Sequence, residues 1–470
     1  ISTKTPIARA FPLSKGDIYT AFIERFTAMT VNGGRVGIIS NRTFLTLGVH
    51  TDFRLEVLAR KARLELLADL GSNVLEAMVE VAAYVLYVGT LTDSNDAIFI
   101  PVHRNKDKSS ALHKAIKDCN SNLIVRSLDV LAALPNAAYA YWLDDHLVQI
   151  FRTGIRIEAH VVNVRVGLQT SDDNRFARLR WEVPSTHIGK GKPWVHFAKG
   201  GEFSPYYDDI HLVVNWRDEG KEILDFRDDS GKLLSVPRNM TYYYSMGLTY
   251  PWRTSLGFAP RVLPSNCVFA AQGSALLPLE QSSNPSEDLL CVLGMLNCSL
   301  YQLFISIGVG AVEGAARSYQ VGLVQSLPWT NISRNYRSEI ASLAHRSVDS
   351  RRVLDTFDET TTSFVRCCSS ATSLIESSSY IQDSCQRAID DILSNYHELD
   401  RVVETLFGVT GTVESNYELV ESTYSIKRPE HVTLANFSLS YLLGCAFGRW
   451  DIRYATGQRQ PPEMPDPFAP

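Results

Sequence analysis

Residues 17–39 read DIYTAFIERFTAMTVNGGRVGII. Ile18, Phe22, Ile23 and Phe26 recur at helical spacing, which predicts an amphipathic helix from Asp17 to Thr30. Asn32-Gly33-Gly34 is a turn, and Arg35-Val36-Gly37-Ile38-Ile39 reads as a short buried strand. A glycine loop that cradles a phosphate follows a strand and opens a helix. Here a helix precedes the glycines and a strand follows them, so this segment is not such a loop.

The alternation continues outward. A second helix is expected around Val49 to Ala59, a strand over Leu64–Leu67 with Leu70 just beyond, and another strand over Glu80–Val88 (EVAAYVLYV). Alternating helices and strands indicate an α/β layer, and the stretch reads as the last strands of a doubly wound sheet. Residues 101–125 are polar (HRNKDKSS) and read as a linker or surface loop, and Tyr139–Ile150 reads as a helix. From about 160 to 335 short strand-like runs (161–166, 176–183, 210–215, 267–271) alternate with glycine- and proline-containing turns. That is a mixed, mostly β region with long loops, where binding residues tend to sit. From 336 to about 407 the chain is helical, with Ile389, Leu393, Tyr396, Leu399, Val403 and Leu406 forming one apolar stripe.

A chain of 470 residues with 45% hydrophobic and 21% charged residues has material for two or three globular domains. No apolar run approaches the roughly 18 residues of a membrane span, and the N-terminus has no signal-peptide core. The sequence opens at Ile1 without an initiator Met, as a segment of a larger protein would. The eight cysteines lack metal-binding spacing and read as buried free thiols of a cytoplasmic protein. Net charge is −5, which excludes a general basic nucleic-acid coat. Charge is segregated, however. Residues 151–200 hold nine Lys/Arg against four Asp/Glu, whereas residues 381–430 hold four against ten. The basic stretch marks either a sited DNA contact or an ordinary solvated face.

Individual motifs are modest. Gly167–Phe176 (GLQTSDDNRF) is a polar loop inside the basic stretch, whose Thr170, Asn174 and Arg175 suit phosphates or base edges. Phe197–Phe203 (FAKGGEF) places Lys199 before Gly200 and Gly201, which lets backbone approach a phosphate. Ser318-Tyr319-Gln320 follows a glycine-rich stretch. Asp208 or Asp209 with Glu219-Gly220-Lys221 matches a metal-dependent nuclease pattern, and reads equally as a charged turn.

Their order says more. GLQTSDDNRFARLRWEV (167–183), WVHFAKGGEFSPYY (194–207), VVNW (213–216) and SYQVGLVQSLPW (318–329) together resemble the PglX-like adenine-specific DNA methyltransferases of the BREX and DISARM phage-defence systems. KGDIYTAFIE (15–24) with VGIISNRTFL (36–45), AAYAYW (137–142), LDRVVETLFG (399–408) and SLSYLLGCAFGRW (438–450) extend the resemblance over nearly the whole chain. MVEVAAY (78–84) leans toward the DISARM branch.

The resemblance implies methyl transfer from S-adenosylmethionine to N6 of an adenine flipped out of double-stranded DNA. Neither the family's Asn-Pro-Pro-Tyr/Phe loop nor its donor-binding glycine loop occurs here; the family order places both before Ile1, so no catalytic or cofactor-binding residue is assigned. Leu75 matches the position where relatives stack an aromatic on the flipped base. The expected architecture is α/β: the C-terminal part of a Rossmann-like methyltransferase core (1–100), a connector (101–160), a mixed, mostly β target-recognition domain (161–335) and a helical C-terminal region (336–470). Expected DNA contacts are Thr170, Asn174, Arg175, Arg178, Lys199, Gly200, Gly201, Ser318, Tyr319 and Gln320. Expected partners are double-stranded DNA and other phage-defence proteins, with no membrane and no metal. The competing readings are a non-catalytic DNA-binding scaffold and a restriction nuclease using Glu219 and Lys221.

Overall fold

Helix α1 (Ile18–Met29) starts where the Asp17 side chain accepts from the Ile18 N–H, and strand β1 (Arg35–Asn41) follows. The computed structural model describes residues 6–74, 79–89, 95–118, 123–309, 316–367, 374–409, 411, 413–424 and 431–469. The chain divides into two units. Unit 1 is Ile1–Ile155 with Phe304–Arg317 and Ser326–Trp329; unit 2 is Arg156–Leu303 with Ser318–Gln325 and Thr330–Pro470.

Unit 1 continues with a π-helical segment (Phe53–Lys61), β2 (Arg63–Gly71), β3 (Val81–Tyr87), β4 (Asp96–Pro101), α2 (Lys108–Asp118), β5 (Ile124–Ser127) and α3 (Asp145–Thr153). The five strands form one sheet in the order β1-β3-β2-β4-β5. Strand β3 lies between β1 and β2 and is antiparallel to both, with Tyr84 opposite Ile38 on one side and Leu67 on the other. Its hydroxyl shares a 2.8 Å hydrogen bond with Ser40, so a ring buried in the sheet keeps its polar atom satisfied.

Several sequence expectations are corrected here. Strand β1 is an edge, not a buried strand, and Ile39 is 57% exposed. Within α1 only Ile23 of the expected stripe is buried; Ile18, Phe22, Phe26 and Met29 point outward, about half exposed. The polar stretch 101–125 holds α2 and the first half of β5 instead of a loop. The helix expected from Tyr139 begins only at Asp145, where Asp144 caps the His146 N–H. Tertiary contacts claim the preceding residues. Tyr141 stacks on Phe99 with centroids 4.7 Å apart, and the Tyr139 hydroxyl donates to the Arg54 carbonyl. The Arg54 guanidinium is itself fully buried and donates to the carbonyls of Phe44, Leu47, Asn136 and Ala137.

Unit 2 opens with β6 (Val162–Arg165), β7 (Ala177–Leu179), β8 (Trp194–Ala198), β9 (Leu212–Asn215), β10 (Gly247–Thr249), β11 (Arg261–Leu263), β12 (Cys267–Phe269) and β13 (Ala275–Pro278). Two four-stranded sheets result, one in the order β12-β8-β9-β7 and one in the order β11-β10-β13-β6. Phe197, Val214, Leu263, Phe269 and Leu277 belong to one core beneath both. Helix α4 (Pro285–Asn297) and the start of α5 (Ser299–Val309) are buried within the span expected to be mostly β. Helix α4 packs on α6 (Arg334–Asp355), which packs on α7 (Leu374–Phe407), inside this same unit. The architecture is thus mixed α/β with several sheets and a helical C-terminal region. Among the described residues, no single helix is long and apolar enough to cross a membrane. The described cysteines are free, and all but Cys445 are buried.

Candidate functional site

The three polar loops of unit 2 are drawn together by one strand end. Beyond β12, the N–H of Ala270 donates to the Ala198 carbonyl at 2.8 Å, and that of Ala271 to the Leu168 carbonyl at 2.9 Å. Leu168 in turn donates to the Phe269 carbonyl at 2.9 Å, which zips both the 167–176 and 197–203 segments onto 267–272. The third segment arrives through Trp252, whose N–H donates to the Gln272 carbonyl while its carbonyl accepts from the Tyr319 N–H. The enclosed cleft has a volume of about 510 Å³, and Gln169, Ser171, Lys199, Trp252, Gln272 and Gln320 are among the residues that line it.

The close approach of these segments depends on glycine. A Cβ on Gly200 would lie 2.4 Å from the Gln272 carbonyl oxygen, and Gly200 sits at φ +88°. Gly201, at φ +106°, backs onto buried Arg261, which donates to the carbonyls of Gly200 and Glu202 and pairs with Asp208 at 2.8 Å. Both glycines therefore serve the packing of the chain on itself.

The expected contact residues divide into groups. Thr170, Lys199 and Gln320 line the cleft. Tyr319 does not present its side chain; it is 1% exposed, with its ring 5.2 Å from that of Phe258. Thr170 is also buried and gives its hydroxyl to Asp173. The cations are occupied. Lys199 pairs with Asp173, Arg175 with Glu222 at 2.8 Å, and Arg178 donates to the carbonyls of Asn174 and Ala177. Burial pushes the Asp173 carboxyl up, but the Lys199 and Thr170 hydrogen bonds outweigh it and hold the group below the ordinary range. Asn174 is exposed and Ser318 half-buried. Leu75 and Met78 lie outside the described residues.

Gln169, Trp252 and Gln272 escaped the sequence reading. Trp252 had a signal, as a tryptophan beside Pro251 and Arg253 in a turn-rich stretch; nothing marked Gln272. The nuclease pattern does not assemble. Asp208 is held by Arg261, Asp209 by Thr362, and Glu219 stands apart in an exposed turn. Among the described residues, no group of three or more His, Cys, Asp and Glu side chains gathers to hold a metal ion.

Over nearly its whole length the chain is similar to adenine-specific methyltransferases. The relatives include the adenine-specific methyltransferase PglX of Lacticaseibacillus casei (strain Zhang), 22% identical over 95% of this chain, and the adenine-specific methyltransferase BrxX of Escherichia coli O9:H4 (strain HS), 21% identical over 94%. The resemblance expected from motif order is borne out; the lean toward DISARM gains no support from these names. The chain spans less than two fifths of the length of either relative, 38% and 37%. No protein-family model matches the chain. Among solved structures, the type IIL restriction-modification enzyme MmeI in complex with DNA is similar at a TM-score of 0.49, with 13% identity, over 92% of this chain and 52% of that one. A likeness at that level fixes neither fold nor function.

Proposed function

We propose that this chain carries the DNA-recognition part of an adenine-specific DNA methyltransferase of phage defence, together with the last strands of its Rossmann-like core. The observation that carries the reading is the convergence of residues 168–171, 199 and 320 on one cleft with Trp252. Gln169, Gln272 and Gln320 are among its lining residues, and a glutamine amide is a donor–acceptor pair able to meet adenine N6 and N7 together. Trp252, 41% exposed, offers an aromatic face to a base or sugar.

Unit 1 supports the core assignment by its strand order, with antiparallel β3 inserted between β1 and β2. The free edge of β1 and the outward apolar face of α1 are surfaces that the earlier part of such a core would cover. S-adenosylmethionine, the donor such enzymes use, finds no cradle among the described residues. The Gly33–Gly34 turn joins a helix to a strand, the wrong order for one.

The test is base preference. Enrichment of duplexes from a random pool should yield one preferred site containing adenine, and Gln320→Ala should relax it at one position without unfolding the chain. Binding with no base preference, or none at all, would overturn the reading.

A further inference from the structure

The cations marked by the loops around the first cleft are tied to carboxylates or carbonyls, so the grip on the phosphate backbone has to be sought elsewhere in unit 2. Strand β8 runs from Trp194 to Ala198, roughly 13 Å. The first cleft lies at its C-terminal end. At its N-terminal end a second cleft of about 650 Å³ is lined by residues 190–193, 216–219, Met240, Tyr243 and Tyr244.

Its floor is ordered. Pro193 accepts from the Trp216 N–H at 2.7 Å, Tyr244 donates its N–H to the Cys267 carbonyl at 2.9 Å, and the Trp216 and Tyr243 rings meet edge to face. Its rim carries three cations turned outward. Ile188–Pro193 reads IGKGKP, with Gly189 and Gly191 at φ +136° and +75°, closed by a bond from the Lys192 N–H to the Gly189 carbonyl. Lys190, Lys192 and Arg217 are exposed, and among the described residues none of them pairs with a carboxylate. The Lys190 ammonium lies 5.4 Å from the Tyr244 ring centre.

Backbone strain collects at the same place. Asp218, Glu219 and Tyr244 line the cleft with φ between +52° and +66°, and Asn239, just before Met240, has φ +52°. Left-handed backbone at a residue other than glycine costs about 1 kcal/mol or more, and such residues cluster where a site needs them.

We propose that this second cleft binds the phosphodiester backbone of duplex DNA, with Lys190, Lys192 and Arg217 as the phosphate contacts. The inference rests on the DNA-recognition reading above. At 3.4 Å per base pair, the length of β8 corresponds to about four base pairs, within reach of any duplex seated at the first cleft. Asp218 and Glu219 share the rim and oppose a phosphate, which gives the test two arms of opposite sign.

Duplex binding by the whole chain is measured by fluorescence anisotropy between 0.05 and ~0.2 M salt. The Lys190→Ala/Lys192→Ala protein should bind more weakly on every sequence, and its slope of log K against log salt should flatten by about 2. The Asp218→Asn/Glu219→Gln protein, whose new side chains tolerate the same backbone, should bind more tightly, and base preference should stay unchanged in both. If the unmodified chain binds no duplex, both readings fall. If it binds and the two variants match it, the second cleft is not a DNA site and the first reading stands. Weaker binding in the acid-removal variant would assign the rim a structural role and overturn the proposal.

Discussion

Arg42, the residue after β1, donates to both carboxylate oxygens of Asp69 in β2 at 2.7 Å. Asp69 is 1% exposed; the Tyr141 hydroxyl also donates to it at 2.7 Å, and His103 stands 3.5 Å away. Arg42 reaches Glu80 as well, at 3.0 Å, so one guanidinium ties the end of β1 to β2 and to the residue before β3. Taking away one partner of a buried pair leaves a charge without compensation. Arg42→Ala should therefore lower the unfolding free energy by about 3 kcal/mol in urea titration, far beyond a surface substitution. A loss below roughly 1 kcal/mol would mean that Asp69 is satisfied without it.

Acid should destabilise unit 1 through His50. The imidazole is 2% exposed, and burial, followed by the nearby Arg54 charge, lowers its pKa from 6.5 to about 4. Folding thus favours the neutral ring. Its contribution is complete above pH 6.5 and is lost as pH falls toward about 4, to a limit of roughly 3 kcal/mol. His50→Gln should narrow the difference in melting temperature between pH 7.5 and ~4.5. An identical difference in the two proteins would show that another group carries it.

Gly200→Ala should damage the first cleft and the stability of unit 2 together. The added methyl meets the Gln272 carbonyl at 2.4 Å, and the backbone is left-handed. A cost of about 2 kcal/mol is expected, with weakened duplex binding. Gly33→Ala is the control, since its Cβ meets nothing within 4 Å at a similar φ of +85°. Equal costs would mean that backbone conformation alone matters at Gly200 and that the close approach to Gln272 does not.

Much of unit 1 was legible in the sequence because its signals are local. Asp17 caps α1, Asn32–Gly34 turns the chain, and alternation of β-branched and aromatic residues marks β3. Helix α2 was missed because its apolar face is short: Ala115 is its buried residue, Ala111 and Leu112 pack beside it only partly buried, and Ile116 is exposed among Lys, Ser and His. Tyr139 and Tyr141 misled because an apolar stretch claimed by the core reads like one face of a helix. At the site, motif order singled out three loops that the structure gathers at one cleft, but the role of each side chain was hidden. Lys199 and Asp173 are 26 residues apart, and Arg175 and Glu222 are 47 apart. Local spacing carries no trace of such pairs, and without them every lysine in a basic stretch looks equally free.

The insertion of β3 between two earlier strands has a bearing on synthesis. Residues 35–71 cannot settle into their sheet until residues 81–87 have left the ribosome, because the two strands they form have no pairing with each other. Unit 1 also draws on Phe304–Arg317 and Ser326–Trp329, which emerge only after every strand of the two four-stranded sheets of unit 2. The nascent first unit must then wait, still lacking those segments, through the translation of well over a hundred further codons, and that interval is where a holding chaperone would be needed.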